Sequence, residues 1–141
     1  SFFSGDLIGR FGVLKVMLAG VVLNIGCVVV NLAGTEVAHF WAALTLLGVG
    51  WNFLFVGGTT LLTETYAESE KAKAQALNDF VVFTVITASS LSAGALQYKL
   101  GWRAVNLGVV PIIIVILAAL LWLRKVHKTQ RQAVAETTGA D

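Results

Sequence analysis

FWAALTLLGVGWNFLFVGGTTLLT, residues 40–63, is a run of 24 amino acids without a charged side chain. At 1.5 Å per residue, a helix of this length measures about 36 Å, which exceeds the roughly 30 Å hydrocarbon core of a bilayer. Three further uncharged runs, residues 16–33, 80–98 and 104–123, are also long enough. None of the four alternates with the period of two that strands of a membrane barrel require. The sequence therefore predicts an all-α, polytopic membrane protein with four transmembrane helices.

The overall composition excludes several other classes of protein. The chain has 141 residues, of which 57% are hydrophobic and 13% are charged, whereas about a quarter of an average soluble domain is charged. A soluble globular fold and a disordered chain are therefore not expected. The single cysteine, Cys27, cannot form a disulfide framework. A nucleic-acid partner is not expected either, because the net charge is only +2 and the basic residues flank the apolar runs.

The lysine and arginine residues predict the orientation of the chain in the membrane. Placing both ends and the 64–79 connection inside puts eight basic residues in the cytoplasm and two outside, as the positive-inside rule favours. Residues 1–15 are then a cytoplasmic loop, residues 16–126 the transmembrane region and residues 127–141 a polar cytoplasmic tail. We expect a plasma or inner membrane location. Because the only methionine lies inside the first span, we also expect the sequence to be part of a longer chain.

The segment GDLIGRFGVLK, residues 5–15, is a glycine-rich basic stretch directly before the first span. It resembles the signature loop of the major facilitator superfamily (MFS) of transporters, in which glycine, leucine, aspartate, arginine and a second glycine have fixed spacing. The positions that match are Gly5, Leu7, Arg10 and Gly12. Gly9 stands where the family has its aspartate and Val13 where it has an arginine, as in the weaker second copy of the loop between the eighth and ninth helices.

This resemblance implies that the four spans are the last four helices of a twelve-helix bundle. It also implies a secondary active transporter, or permease, that moves a small solute by alternating access around a site near the midplane. The expected partners are the lipid bilayer, the preceding helices of the same polypeptide and a small-molecule substrate. No bound cofactor is expected, and the proton is the coupling ion that the family implies.

The resemblance assigns the second and third spans to the transport cavity, and these spans carry stripes of polar and aromatic side chains. Asn52 is the strongest single candidate, since an amide in mid-span needs a partner. The cavity candidates are Trp51, Asn52, Phe55, Thr59, Phe83, Thr87 and Ser90. The candidates for a gate at the cytoplasmic side are Asp6, Arg10 and Asp79.

Charged residues and histidines are absent from all four runs, and no set of residues has the spacing of a catalytic or metal site. We therefore do not expect an enzyme. Two alternatives remain open at this point. One is a self-contained four-helix transporter like the small multidrug resistance proteins, although these carry a membrane-buried glutamate in their first helix. The other is a membrane subunit with four spans that transports nothing.

Overall fold

A computed structural model of the protein describes residues 2–63 and 65–138, with only the backbone described for residues 2, 3, 68 and 130–138. Within these ranges all of the regular secondary structure is helical, which confirms the predicted fold class at the level of an all-helical protein. The elements are α1 (Phe2–Phe11), α2 (Val13–Ala33), α3 (Val37–Thr63), a short 3₁₀ turn (Glu68–Glu70) and α4 (Lys71–Thr138).

Three of the described helices are long and apolar enough to cross a membrane: Val13–Ala33, Val37–Thr63 and the part of α4 up to Thr129. Helix α4 is interrupted at Gly101, where φ is 76° and ψ is 167°. Only glycine adopts this region readily. The interruption divides α4 into a first limb, residues 71–100, and a second limb, residues 102–138. The predicted spans 80–98 and 104–123 lie on these two limbs, and the connection expected between them is reduced to one residue.

The expected loop at residues 1–15 is largely helical. Helix α1 ends at Phe11 and α2 begins at Val13, with only Gly12 (φ 86°, ψ 147°) between them. The helix forms in spite of its two internal glycines because Ser4 is buried and Leu7 is half-buried, so packing outweighs helix propensity. The expected polar tail is likewise helical through Thr138. Residue 1 of the predicted loop and residues 139–141 of the predicted tail lie outside the described residues.

Helix α2 lies at the centre of the described packing. A Cβ atom placed on Gly20 would be 2.9 Å from the backbone oxygen of Gly50, so the α2 and α3 backbones approach closely. Small residues permit such approaches between helices in lipid, where dispersion and hydrogen bonds drive association. On its other side, α2 packs against the second limb through a core that includes Val21, Ile113 and Leu120.

The second limb runs antiparallel to α2. Near its start, Trp102 Nε1 donates a hydrogen bond to the backbone oxygen of Asn31 at 3.0 Å, and its ring lies 5.1 Å from the ring of Phe40. Near its end, residues 124–128 share a cavity with the start of α2. The first limb differs, because every side chain of residues 83–100 is exposed within this chain.

Candidate functional site

A cavity of about 380 Å³ opens between α2, α3 and both limbs of α4, a volume within the range of sites for small molecules. The two limbs reach it because Gly101 turns the chain and returns the second limb along α2. No charged side chain lines it among the described residues. The lining residues are Val21, Asn24, Trp51, Leu54, Phe55, Gly58, Thr59, Asn78, Val82, Val109, Ile112, Ile113 and Ile116.

The α3 wall of this cavity is aromatic. Trp51 and Phe55 lie one helical turn apart, and their rings are stacked with centroids 6.0 Å apart and planes inclined by 17°. Trp51 remains 49% exposed and Phe55 36%, so both rings are accessible to a ligand. Such a pair offers a flat apolar surface to another planar ring.

Three polar side chains stand around this aromatic wall. Thr59 is one further turn along α3, and its hydroxyl donates to the backbone oxygens of Phe55 and Val56 at 3.0 and 2.9 Å. Its oxygen atom can still accept a hydrogen bond. Asn24 donates from Nδ2 to the backbone oxygen of Gly20 at 2.8 Å, and this leaves the side-chain oxygen as an acceptor. The third polar side chain is that of Asn78. The cavity can therefore bind a neutral, flat molecule with several hydrogen-bonding groups.

Three of the seven predicted cavity residues, Trp51, Phe55 and Thr59, line this space together. The structure places Asn52 elsewhere, because its Oδ1 accepts a hydrogen bond from the hydroxyl of buried Ser4 on α1. Asn52 thus joins α3 to α1, and its assignment to substrate binding stays a prediction.

The three candidates on the first limb lie outside this cavity. Phe83 and Thr87 line an open groove on the surface of that limb. Thr87 donates to the backbone oxygen of Phe83 at 2.8 Å, so its hydroxyl is already bonded within its own helix. Ser90 is exposed. Their part in a transport cavity also stays a prediction.

The three predicted gate residues are only partly brought together. Arg10 Nε lies 3.9 Å from Asp6 Oδ2, one turn apart on α1, with both side chains more than 70% exposed. Such a pair contributes about 0–1 kcal/mol. Asp79 is exposed on the first limb and accepts a hydrogen bond from Asn78 Nδ2 at 3.3 Å. Among the described side chains, the structure therefore joins Asp6 to Arg10 and joins neither to Asp79.

Sequence reasoning missed two groups of lining residues. Asn24 was not among the predicted cavity residues, yet it lines the cavity and also lies close to Gly50 of α3. Its position in mid-span was the available signal, since an amide there needs partners. The second group is the aliphatic row Val109, Ile112, Ile113 and Ile116. Residues 107–123 of the second limb are apolar on all sides, so no pattern in its sequence indicated which side faces the cavity.

Comparison with known proteins identifies membrane transporters as relatives of this chain. The riboflavin transporter RfnT of Brucella anthropi is 42% identical over 121 residues, which cover 86% of this chain and 30% of the relative. The MFS-type transporter YdeG of Bacillus subtilis is 24% identical and is covered over 29% of its length. The drug efflux pump JefA of Mycobacterium tuberculosis is 29% identical and is covered over 22% of its length.

The chain thus spans less than a third of the length of these relatives, all of which are named as transporters. No solved structure matches it. The sequence profile of the Major Facilitator Superfamily matches residues 1–140, nearly the whole chain. This chain therefore belongs to the Major Facilitator Superfamily.

Proposed function

We propose that the protein is a secondary active transporter that moves a small solute across the membrane by alternating access. The observation that carries this proposal is the uncharged cavity between α2, α3 and α4, with its stacked Trp51 and Phe55. Family membership supports it, because sites in such transporters lie between helices near the midplane. Further helices of the same family fold would complete the cavity, and the transport cycle needs no bound cofactor.

We propose a flat, neutral heteroaromatic substrate of the riboflavin class. The relative with 42% identity is named as a riboflavin transporter. The cavity supplies what a flavin ring requires: an aromatic surface, amides at Asn24 and Asn78, and the hydroxyl oxygen of Thr59. The uncharged lining favours a neutral ring system over an ionic solute, since an unpaired charge is costly in such a site.

In the proposed topology the chain crosses the membrane four times, because the two limbs of α4 each make one crossing. Both ends of the segment and the 64–70 connection then face the cytoplasm, and Gly34 and Gly101 mark the outer side. Asp79 is the proposed carboxylate for proton coupling, since it neighbours Asn78 at the cavity. Single cysteines at positions 36, 70 and 99, in a cysteine-free background, test this. A membrane-impermeant maleimide should label positions 36 and 99 from outside and position 70 only after lysis.

Equilibrium binding tests the substrate assignment. Flavin fluorescence is quenched when the ring stacks on tryptophan, so purified protein of natural length is titrated into riboflavin. The Trp51→Ala variant should bind about tenfold more weakly, because a stacked aromatic pair contributes on the order of 1 kcal/mol beyond its buried area. Trp122→Ala is the matched control, since Trp122 is 67% exposed and does not line the cavity.

Uptake by proteoliposomes then tests transport itself. Riboflavin should accumulate under an imposed proton gradient, and an ionophore that collapses the gradient should prevent it. No binding by wild-type protein would reject the riboflavin class. Equal losses in the Trp51 and Trp122 variants would place the binding site elsewhere.

Efflux of lipophilic compounds is a second candidate, favoured by the largely aliphatic wall that the second limb contributes and by the similarity to a drug efflux pump. The same binding assay with a lipophilic dye in place of riboflavin separates the two. Saturable dye binding without riboflavin binding would favour efflux.

A further inference from the structure

A second cavity, of about 540 Å³, lies at the end of the molecule where α1 meets α2 and where the second limb ends. We call it the basic cavity. Its basic lining comes from Lys15 at the start of α2 and from Arg124, His127 and Lys128 on the second limb, and Thr60 of α3 adds a hydroxyl. These positions are far apart in sequence and are brought together by the antiparallel packing of the two helices. The cavity beside Trp51 and Phe55, in contrast, has no charged lining in the described chain.

The charges of the basic cavity lack a counterion within the described chain. Among the side chains that the structure describes, no acidic one lines it. The one ion pair among the described side chains joins Asp6 to Arg10, outside this cavity. Three permanent cations that share one cavity repel each other unless an anion lies between them.

The start of α2 adds backbone donors to the same place. Gly12 is the N-cap of α2 and provides no side-chain hydrogen bond to the first turn. The Val16 amide donates to the backbone oxygen of Gly12 at 3.3 Å, which is the first hydrogen bond of the helix. The amides of residues 13–15 come before it and have no acceptor within the helix. Residues 13–15 all line the cavity. Unbonded amides at a helix start favour a bound anion, and phosphate in particular.

The rest of the lining is apolar. Ile8, Phe11 and Leu14 form this part of the cavity, and Phe11 is 57% exposed. A free inorganic anion gains nothing from such a surface, whereas a phospholipid places its phosphate among the cations and its glycerol and upper acyl chain along the apolar side. Basic pockets between transmembrane helices on the cytoplasmic side have the composition that binds anionic head groups.

We propose that the basic cavity binds the head group of an anionic phospholipid. Lys15, Arg124 and Lys128 hold the phosphate, and Phe11 and Leu14 contact the lipid chain. The site couples the α1–α2 corner to the end of the second limb, two elements that are otherwise distant in sequence.

Native mass spectrometry and thermal unfolding of the natural-length protein in detergent test this. The probes are phosphatidylglycerol, phosphatidylcholine, and sodium phosphate with glycerol 3-phosphate. Wild-type protein should retain phosphatidylglycerol and unfold at a higher temperature in its presence, with no shift from phosphatidylcholine. Replacing Lys15, Arg124 and Lys128 together by Gln should weaken binding about 100-fold, since each cation near an anionic lipid contributes about a factor of five.

The control replaces three exposed cations elsewhere, Lys73, Lys99 and Arg103, by Gln. It changes the net charge equally and should keep the phosphatidylglycerol effect. A second variant exchanges the cations of the basic cavity, Lys15→Arg, Arg124→Lys and Lys128→Arg. It should also bind, which separates loss of charge from loss of fold.

Two results would overturn the proposal. Equal weakening in the control triple would mean that the lipid senses only net charge. An equal stabilisation by sodium phosphate or glycerol 3-phosphate alone would mean a site for small anions.

Discussion

The close approach of α2 and α3 predicts how the protein responds to one added methyl group. In the Gly50→Ala variant, the new Cβ would lie 2.5 Å from Asn24 Nδ2 and 2.9 Å from the backbone oxygen of Gly20. Ordinary contact begins at 3.4 Å. The asparagine can rotate, but the carbonyl is part of a helix, so the two helices must separate by about half an ångström, a gap that already weakens dispersion.

The energetic consequence can be worked out from the interface. A gap of that size forfeits about a quarter of the well depth of each contact, and a patch as large as one buried leucine, with about 50 atom pairs at 0.1–0.2 kcal/mol, then loses about 2 kcal/mol. Overpacked cores lose about 1–3 kcal/mol. The higher helix propensity of alanine returns up to about 1 kcal/mol, so Gly50→Ala should destabilise the protein by about 1 kcal/mol.

Gly48→Ala is the matched control, because Gly48 lies on the same helix and has no atom within 4 Å of a new Cβ. It should gain only the higher helix propensity of alanine. By the same estimates, its free energy of unfolding should exceed that of Gly50→Ala by about 2 kcal/mol. Unfolding is measured by titrating SDS into mixed micelles and following tryptophan fluorescence. Gly57→Ala should fall between the two, since its new Cβ meets the flexible side chain of Met17. Equal stability of the Gly48 and Gly50 variants would refute the close approach.

Three further substitutions test other features by the same unfolding assay. Gly101→Ala has space for its methyl group but forces alanine to positive φ, so it should lower the free energy of unfolding by about 1–3 kcal/mol. Gly94→Ala is its control: it also has space for the methyl group and should cost no stability. Trp102→Phe keeps an aromatic ring but loses the bond to the oxygen of Asn31, and should cost about 1 kcal/mol, whereas an unchanged midpoint would mean that this bond contributes nothing. Ser4→Ala removes the hydroxyl that donates to Asn52 on α3. It should cost about 1–2 kcal/mol, because the oxygen of Asn52 is left without a donor. Restored stability in a double variant that also removes this oxygen would support the pairing.

Helices α2 and α3 and the two limbs of α4 could be located from the sequence, because each contains a long uncharged run that can be read directly from the residues. The break at Gly12 was indicated by its motif, which is rich in glycine and precedes a span. A connection at residues 99–103 was predicted because Lys99 and Arg103 separate two uncharged runs, but its reduction to a single glycine was not visible in the sequence. The packing of the second limb against α2, with its bond to Asn31, agrees with a turn at this position.

The candidate cavity was predictable where one helix carried the signal by itself. Trp51, Phe55 and Thr59 recur every four residues, so they share a face of α3 and line the cavity together. Asn52 lies about 100° from Trp51 around the helix but only about 20° from Thr59, so its position on α3 alone did not separate it from the cavity residues. Its partner Ser4 lies on α1, and no pattern in the sequence indicated which side of α3 this segment would contact.

The exposed first limb has a consequence for biosynthesis. The ribosome delivers α2 and α3 before the first limb, and these two can pair in the membrane as soon as both have left the translocon. In the proposed topology, residues 83–100 of the first limb then face lipid or the further helices of the fold, because no described part of this chain covers them. Three of its hydroxyls need no outside partner, because Thr84, Thr87 and Ser92 each donate to the backbone oxygen four residues earlier. For these groups the helix itself meets the bilayer's demand that polar groups be satisfied.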